Sequence, residues 1–173
     1  REHVANLLAA IRGRDLTLLF TYANADTGGR VINQMIEAFV KNEPHAHAFP
    51  SLGQRRYLGL LQIADVMVGN SSSGIIEAPS FKLPAVNIGD RQRGRVRAAN
   101  VIDCGVEQHE IAKALDQALS KEFRESLRGL ANPYGTGQIS SQIVSTLKQI
   151  HLGEELLKKR FKDWPCASFS SEQ

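Results

Sequence analysis

Three serines between two glycines form the segment of this 173-residue sequence best suited to chemistry. The segment runs from Gly69 to Gly74 and follows an apolar stretch typical of a buried strand. If a helix begins near Ser73, its first backbone N–H groups have no partner inside the helix, and the helix dipole favours an anion there. The hydroxyls of Ser71, Ser72 and Ser73 add donors. The glycines remove side chains where a ligand must approach the backbone. This combination predicts a phosphate-binding loop.

Glu77 lies about one turn into the predicted helix, close enough to face the same ligand. A carboxylate that accepts hydrogen bonds from a ribose diol is a common feature of nucleotide sites. A plainer interpretation stays open, in which a serine caps the helix and Glu77 is a surface residue. The segment matches neither a Walker loop nor a G-x-G-x-x-G fingerprint, so the motif alone does not decide between the two.

Four arginines lie within seven positions after the next predicted strand, at a spacing of two. In an extended segment this spacing places all four on one side, where guanidinium groups would hold phosphate oxygens. The alternative is a solvated charged loop. We expect Arg91 to bind ligand, and we expect some of Arg93, Arg95 and Arg97 to be surface or structural residues.

The loop after the first predicted strand adds one more candidate. Asn24 is placed to donate or accept a hydrogen bond with a ligand. Asp26, two residues later, is better explained as the cap of the following helix. Asn24 therefore joins the predicted ligand-binding set and Asp26 does not.

The composition, 42% hydrophobic and 23% charged, predicts one folded domain over residues 1–166, followed by a frayed tail at 167–173. A net charge of +3 gives no case for nucleic acid. His45 and His47 have no further ligands near them in sequence, so we predict no metal and no cofactor. The two cysteines make no disulfide framework, and no run approaches the roughly 18 apolar residues of a membrane span. A cytoplasmic location is expected.

Short apolar stretches alternate with amphipathic ones along the whole chain, and this alternation is typical of an α/β fold with a doubly wound parallel sheet. In such folds ligands bind at the carboxyl ends of the strands. The predicted strands cover residues 16–22, 47–49, 65–69, 85–88 and 101–104. The predicted helices cover 4–11, about 29–41, 57–63, 107–119, 121–130, 138–150 and 154–162, with one more beginning near 73.

With these residues in hand, the chain resembles the C-terminal half of the hydrolysing UDP-N-acetylglucosamine 2-epimerases of sialic acid biosynthesis. The most specific stretch, residues 64–103, contains ADVMVGNSSSGIIEAPSF, LPAVNIGDRQRGR and NVID. YANAD at 22–26, SLG at 51–53 and NPYGTG at 132–137 extend the resemblance. It implies a Rossmann-like domain that forms the C-terminal half of a two-domain GT-B fold and binds UDP.

The resemblance also assigns roles to residues in this chain. The paired phosphate-binding residues of the family match Ser71 and Ser72, its ribose-binding glutamate matches Glu77, and its phosphate-side arginine matches Arg91. An asparagine at the nucleotide site matches Asn24. UDP and UDP-N-acetylglucosamine are thus the implied ligands.

The activity implied for the full enzyme is conversion of UDP-N-acetylglucosamine to N-acetylmannosamine and UDP. The chain begins at Arg1 without an N-terminal domain of the family type, which is where the resemblance puts the catalytic acidic residues. We therefore expect a fragment that is inactive alone, with that domain as its partner and a homo-oligomer as the full-length state. Two alternatives stay open: the nucleotide-sugar domain of a GT-B glycosyltransferase, and a stand-alone nucleotide-sugar-binding module.

Overall fold

A computed structural model describes residues 1–23, 28–135 and 137–158, which divide into two compact units, Arg1–Tyr134 and the residues from Gly135 onward. In the first unit the helices are α1 (Glu2–Ile11), α2 (Gly29–Val40), α3 (Gly53–Ile63), α4 (Ser73–Ile76), α5 (Gln108–Leu119) and α6 (Lys121–Ser126). Its strands are β1 (Leu18–Thr21), β2 (Ala46–Phe49), β3 (Met67–Gly69), β4 (Ala85–Ile88) and β5 (Val101–Cys104). The second unit holds α7 (Ile139–Gln149) and α8 (Glu154–Leu157).

All the strand pairs are parallel, as the alternation of strands and helices predicts. β1 pairs with β2, and β3, β4 and β5 form a three-stranded sheet in that order, with Met67 opposite Ala85 and Ala85 opposite Val101. A shared apolar cluster joins the two sheets: Phe20 of β1 and Val68 of β3 pack against the same buried cluster, which includes Leu115 of α5. The predicted α/β class is confirmed.

Helices cover both faces of the β3–β4–β5 sheet, because successive side chains of a strand point to opposite sides. Val86 and Ile88 of β4 pack with Ile111 of α5 on one face. Ala85 packs with Leu61 of α3 on the other face. A strand buried on both sides is mostly apolar, and all four residues of β4 are buried, three of them apolar. The doubly wound arrangement is thereby confirmed for this sheet.

Most predicted elements occur within a few residues of their predicted positions. The clearest difference follows β3, where α4 has only four residues and gives way to a 3₁₀ helix at Ala78–Phe81. Pro79 has no N–H to continue an α-helix, and Lys82 ends the segment in a left-handed conformation with φ 55°. The single-domain prediction for residues 1–166 stays a prediction, since residues 159–173 lie outside the described ranges.

Among the helices in these described ranges, none combines the length and the apolar character that crossing a membrane requires.

The core around α5 gives a test of the fold. Ile111 is fully buried, whereas Ile63 at the end of α3 is 79% exposed. We expect Ile111→Ala to lower the free energy of unfolding by about 2–5 kcal/mol, because it leaves a cavity in the core. The matched change Ile63→Ala should stay within about 0.5 kcal/mol of the parent chain. Urea unfolding followed by circular dichroism measures both, and equal losses would contradict the placement of α5.

Candidate functional site

The serine loop, Gly69–Ser72, leaves the carboxyl end of β3 and leads into α4, which begins at Ser73 as predicted. Gly69 has φ 148°, a conformation that favours glycine. The Ser73 N–H donates to the Ser71 Oγ at 3.3 Å, and the Gly74 N–H donates to the Ser71 carbonyl oxygen at 3.4 Å. The first N–H groups of α4 are therefore used inside the turn, and the expectation that they point freely into the loop is wrong. Over the described part of the chain, the Ser71 and Ser72 N–H groups have no protein acceptor.

The short length of α4 has a second consequence. A four-residue helix aligns few peptide dipoles, so the macrodipole adds little to anion binding here. Anion binding at this loop depends instead on N–H and hydroxyl donors and on nearby side-chain charge.

Ser73 is 8% exposed, and its hydroxyl lies 2.5 Å from the hydroxyl of Tyr57 on α3. Burial raises the pKa of Tyr57, the negative charge of Glu77 raises it further, and the hydrogen bond with Ser73 acts in the opposite direction. The hydroxyl of Ser73 thus ties α4 to α3. Direct contact between Ser73 and a ligand stays a prediction.

Gly74 is buried against the sheet. A Cβ atom placed on it would lie 3.2 Å from the Cβ of Ala85 on β4 and 3.8 Å from the Sδ of Met67 on β3. The Gly74 carbonyl accepts a hydrogen bond from the Asn100 side chain at 3.3 Å. The missing side chain of Gly74 therefore allows close packing between helix and sheet, and its predicted contact with a ligand stays a prediction.

Glu77 ends α4, and its side chain is exposed. The adjacent backbone is held by Asn132, whose Nδ2 donates to the Ile76 carbonyl and to Ser80 Oγ, both at 2.8 Å. Tyr134, two residues further on, donates from its hydroxyl to the Val96 carbonyl at 2.9 Å. Residues 132–134 therefore connect the Glu77 end of the site to the segment that contains the arginines.

The arginine loop, Asp90–Arg97, forms turns after β4. The Arg93 N–H donates to the Asp90 carbonyl at 2.8 Å, and Gly94 has φ 82°. The expectation that an extended segment puts all four arginines on one side is wrong, because these turns point them in different directions. Arg91, Arg93 and Arg95 are exposed, whereas Arg97 turns inward to Asp103, with Nε 2.9 Å from Oδ2.

Arg91 brings the two loops together. Its Nη1 donates to the Asn70 carbonyl of the serine loop at 3.3 Å, and Gln92 Nε2 donates to the same oxygen at 2.8 Å. A guanidinium group therefore contacts the backbone of the serine loop, at the carboxyl ends of adjacent strands. This group of donors can hold an anion with several oxygens.

The cavity beneath the serine loop has a volume of about 10 Å³, room for roughly one water molecule. A larger ligand must therefore bind on the open side of the loop, where Ser71, Glu77 and Arg91 are exposed. Within residues 1–23, 28–135 and 137–158, no three His, Cys, Asp or Glu side chains are grouped to hold a metal ion. Asn24 and Asp26 lie outside the described residues.

Sequence patterns did not predict the polar side chains that support the two loops. Asn100 is fully buried and donates to the Gly74 and Leu83 carbonyls. Asn87 is 4% exposed and donates to Asp103 Oδ1 at 2.6 Å, and Gln92 is also 4% exposed. One signal was available: Asn87 interrupts the apolar run of β4, and a buried amide requires a partner.

Comparison with known proteins adds to this geometry. The family model described as UDP-N-acetylglucosamine 2-epimerase matches residues 1–148. The GDP/UDP-N,N'-diacetylbacillosamine 2-epimerase (hydrolyzing) of Campylobacter jejuni is 43% identical over 152 residues, 87% of this chain and 39% of that protein. The polysialic acid biosynthesis protein P7 of Escherichia coli is 33% identical over 95% of this chain and 42% of that protein.

The fold also matches a solved structure. The Neisseria meningitidis UDP-GlcNAc 2-epimerase bound to UDP-GlcNAc aligns with a TM-score of 0.66 at 20% identity, covering 86% of this chain and 41% of that one. The chain thus spans about two fifths of the length of these relatives. The family model covers most of the chain, and the chain therefore belongs to the UDP-N-acetylglucosamine 2-epimerase family.

Proposed function

We propose that this chain is the UDP-binding part of a hydrolysing 2-epimerase that releases N-acetylmannosamine and UDP from UDP-N-acetylglucosamine. The observation that carries the proposal is the hydrogen bond from Arg91 to the Asn70 carbonyl, which places a guanidinium group beside the serine loop. The names of the relatives, which include hydrolysing enzymes, support the same reaction class.

In this proposal the diphosphate of UDP binds the Ser71 and Ser72 N–H groups and hydroxyls together with Arg91, and the ribose binds Glu77. Ser73 and Gly74 contribute by fixing α4 against α3 and β4. Asn24 is proposed as an additional nucleotide contact.

The reaction begins with removal of the proton at C2 of the sugar. The C1–O bond then breaks, UDP leaves with the bonding electron pair, and a glycal forms. Water adds across the double bond, delivering a proton to C2 and a hydroxyl to C1. Ser71, Ser72 and Arg91 would stabilise the charge that builds on the departing diphosphate. We infer that the base acting at C2 belongs to the portion of the relatives that this chain does not span, and that the complete enzyme is a homo-oligomer.

A second candidate substrate follows from the relatives. The C. jejuni relative is named for a GDP- or UDP-linked diacetylbacillosamine, also an N-acetylated sugar. The donors identified here address the nucleotide, which the UDP-linked sugars share, so both are compatible with the site. Turnover of the two UDP-sugars by the complete enzyme distinguishes them.

UDP should bind this chain roughly 100-fold more tightly than uridine, because the diphosphate receives charge-assisted hydrogen bonds that the nucleoside lacks. Calorimetric titration with both ligands measures the difference. Equal affinities would remove the phosphate role from the serine loop.

A matched pair of arginine variants localises this effect. We expect Arg91→Gln to weaken UDP binding roughly tenfold, through loss of a charged donor. Arg93→Gln removes the same charge two residues away, from an exposed side chain, and should change affinity less than about threefold. Equal losses would indicate a nonspecific charge effect.

Glu77→Gln should weaken binding of UDP more than binding of its 2′,3′-dideoxy analogue, because only the diol has hydroxyls to donate to the carboxylate. We expect about a tenfold loss for UDP and less than twofold for the analogue. The control Glu122→Gln alters an exposed glutamate on α6 and should leave both affinities unchanged. Equal losses for both ligands would make Glu77 a structural residue.

The chain alone should release no N-acetylmannosamine from UDP-N-acetylglucosamine, even where it binds the nucleotide. Stabilising the leaving group does not replace the C2 base, and general acid–base catalysis contributes roughly 10²–10⁴-fold. The sugar would also remain in water, where fixed donors act more weakly. A discontinuous assay for free sugar and UDP measures turnover, with and without the N-terminal half of a relative. Turnover by the chain alone that Asp90→Asn abolishes would contradict this assignment.

A further inference from the structure

Arg97 differs from the other three arginines of its loop in both environment and partners. Its side chain is 26% exposed, and its Nε lies 2.9 Å from Asp103 Oδ2. Its Nη1 donates to the Arg95 carbonyl at 3.0 Å, and its Nη2 donates to the Gln92 carbonyl at 3.1 Å. All three of its nitrogens thus donate to protein acceptors, so three of its five N–H groups are used within the protein.

These bonds belong to a longer network that starts in the sheet. Asp103 of β5 also accepts a hydrogen bond from Asn87 of β4 at 2.6 Å, so the carboxylate is fixed from two directions. Arg97 links this carboxylate to the backbone of Gln92. The Gln92 side chain, 4% exposed, then donates to the Asn70 carbonyl at 2.8 Å. Five residues, the last of them Asn70 in the serine loop, therefore connect the neighbouring strands β4 and β5 to that loop.

The network ends at the Asn70 carbonyl, and the geometry of the peptide group links this oxygen to the next N–H. The Asn70 carbonyl and the Ser71 N–H belong to the same peptide group, which is planar and trans, so they point in opposite directions. Holding the Asn70 oxygen toward Gln92 therefore fixes the direction of the Ser71 N–H, which has no protein acceptor within the described residues.

We propose that Arg97 is a positioning residue that acts through Gln92 and Asn70 to aim the Ser71 N–H at the diphosphate. This inference rests on the proposed function, since it assumes that a diphosphate binds the serine loop. Arg97 itself touches no ligand. Its effect is preorganisation: a donor held in its bound direction before the ligand arrives loses less entropy on binding.

A second arginine provides the control for a purely structural role. Arg14 pairs with Asp116, and its side chain is 27% exposed, nearly the same as Arg97. This pair joins the end of α1 to α5 and has no bond to either loop of the site. A variant without Arg14 therefore measures how losing a comparable ion pair, away from the site, changes the stability of the fold.

The experiment compares Arg97→Met, Arg97→Lys and Arg14→Met in the full chain, with affinities for UDP and uridine measured by titration. We expect Arg97→Met to weaken UDP binding roughly tenfold and uridine binding less than twofold. Arg97→Lys keeps the charge but lacks the planar fork of donors, so it should lose most of the same affinity. Arg14→Met should bind UDP like the parent chain, whatever its melting temperature.

A ligand-free measurement tests the positioning step directly. The ¹⁵N order parameter of the Ser71 N–H should be about 0.85 in the parent chain and in Arg14→Met, and below roughly 0.6 in Arg97→Met. If Arg97→Met does not fold, Asp103→Asn, which keeps the side-chain shape but removes the charge, replaces it in both measurements.

Full UDP affinity in Arg97→Met, full UDP affinity in Arg97→Lys, or an unchanged Ser71 order parameter would each overturn the proposal. Equal UDP losses in Arg97→Met and Arg14→Met would also do so, because they would reduce the effect to stability. If the parent chain binds UDP no better than uridine, the proposed function fails instead, and the order parameters still decide whether Arg97 positions the loop.

Discussion

The close approach of α4 to β4 at Gly74 is the constraint on which the site depends. Any larger residue at this position would place its Cβ 3.2 Å from that of Ala85, closer than ordinary van der Waals contact, so α4 or β4 would have to shift by a few tenths of an ångström. α4 connects the serine loop at its start to Glu77 at its end, so such a shift would move both together. Asn100 also supports this contact, because its side-chain Nδ2 donates hydrogen bonds to both the Gly74 and the Leu83 carbonyl oxygens.

Three buried amide side chains support the loops around this contact. Asn87, Gln92 and Asn100 each use their NH₂ group as a donor, and among the described residues the side-chain oxygen of each has no partner. An unpaired buried oxygen costs free energy of folding, while the donated bonds are strengthened by the low local dielectric. The network therefore favours a defined loop geometry over maximal stability, as is common at functional sites.

The sequence was informative wherever local patterning determines structure. β4 and β5 lie at their predicted residues because a short apolar run between polar segments has few alternatives. The start of α4 at Ser73 was also predicted, but its early end was not, because Pro79 and the left-handed Lys82 stop it through local backbone effects that the helix expectation ignored. The prediction that all four arginines share one side failed for a similar reason. It assumed an extended backbone, whereas the segment turns at Gly94.

The tertiary contacts of the site could not be predicted from one sequence. Gln92 and Asn70 are 22 residues apart in the sequence, and their spacing does not predict the hydrogen bond between them. That contact depends on β3 and β4 lying side by side. Buried polar residues such as Asn100 look like loop residues until the elements around them are assembled. Sequence patterns thus indicated the exposed Ser71, Glu77 and Arg91, and the structure added the buried amides that support the two loops.

The exposure of Arg91, Arg93 and Arg95 also affects how quickly an anion reaches this surface. Three solvated positive charges at the rim of one loop create a local field that extends about 8 Å at physiological ionic strength. Such a field guides diffusing anions toward the carboxyl ends of β3 and β4 before any contact forms, and added salt shortens its range. The arginine loop therefore has two kinds of arginine. The exposed ones increase the rate at which an anion reaches the loop, and the partly buried Arg97 positions the backbone that the anion would bind.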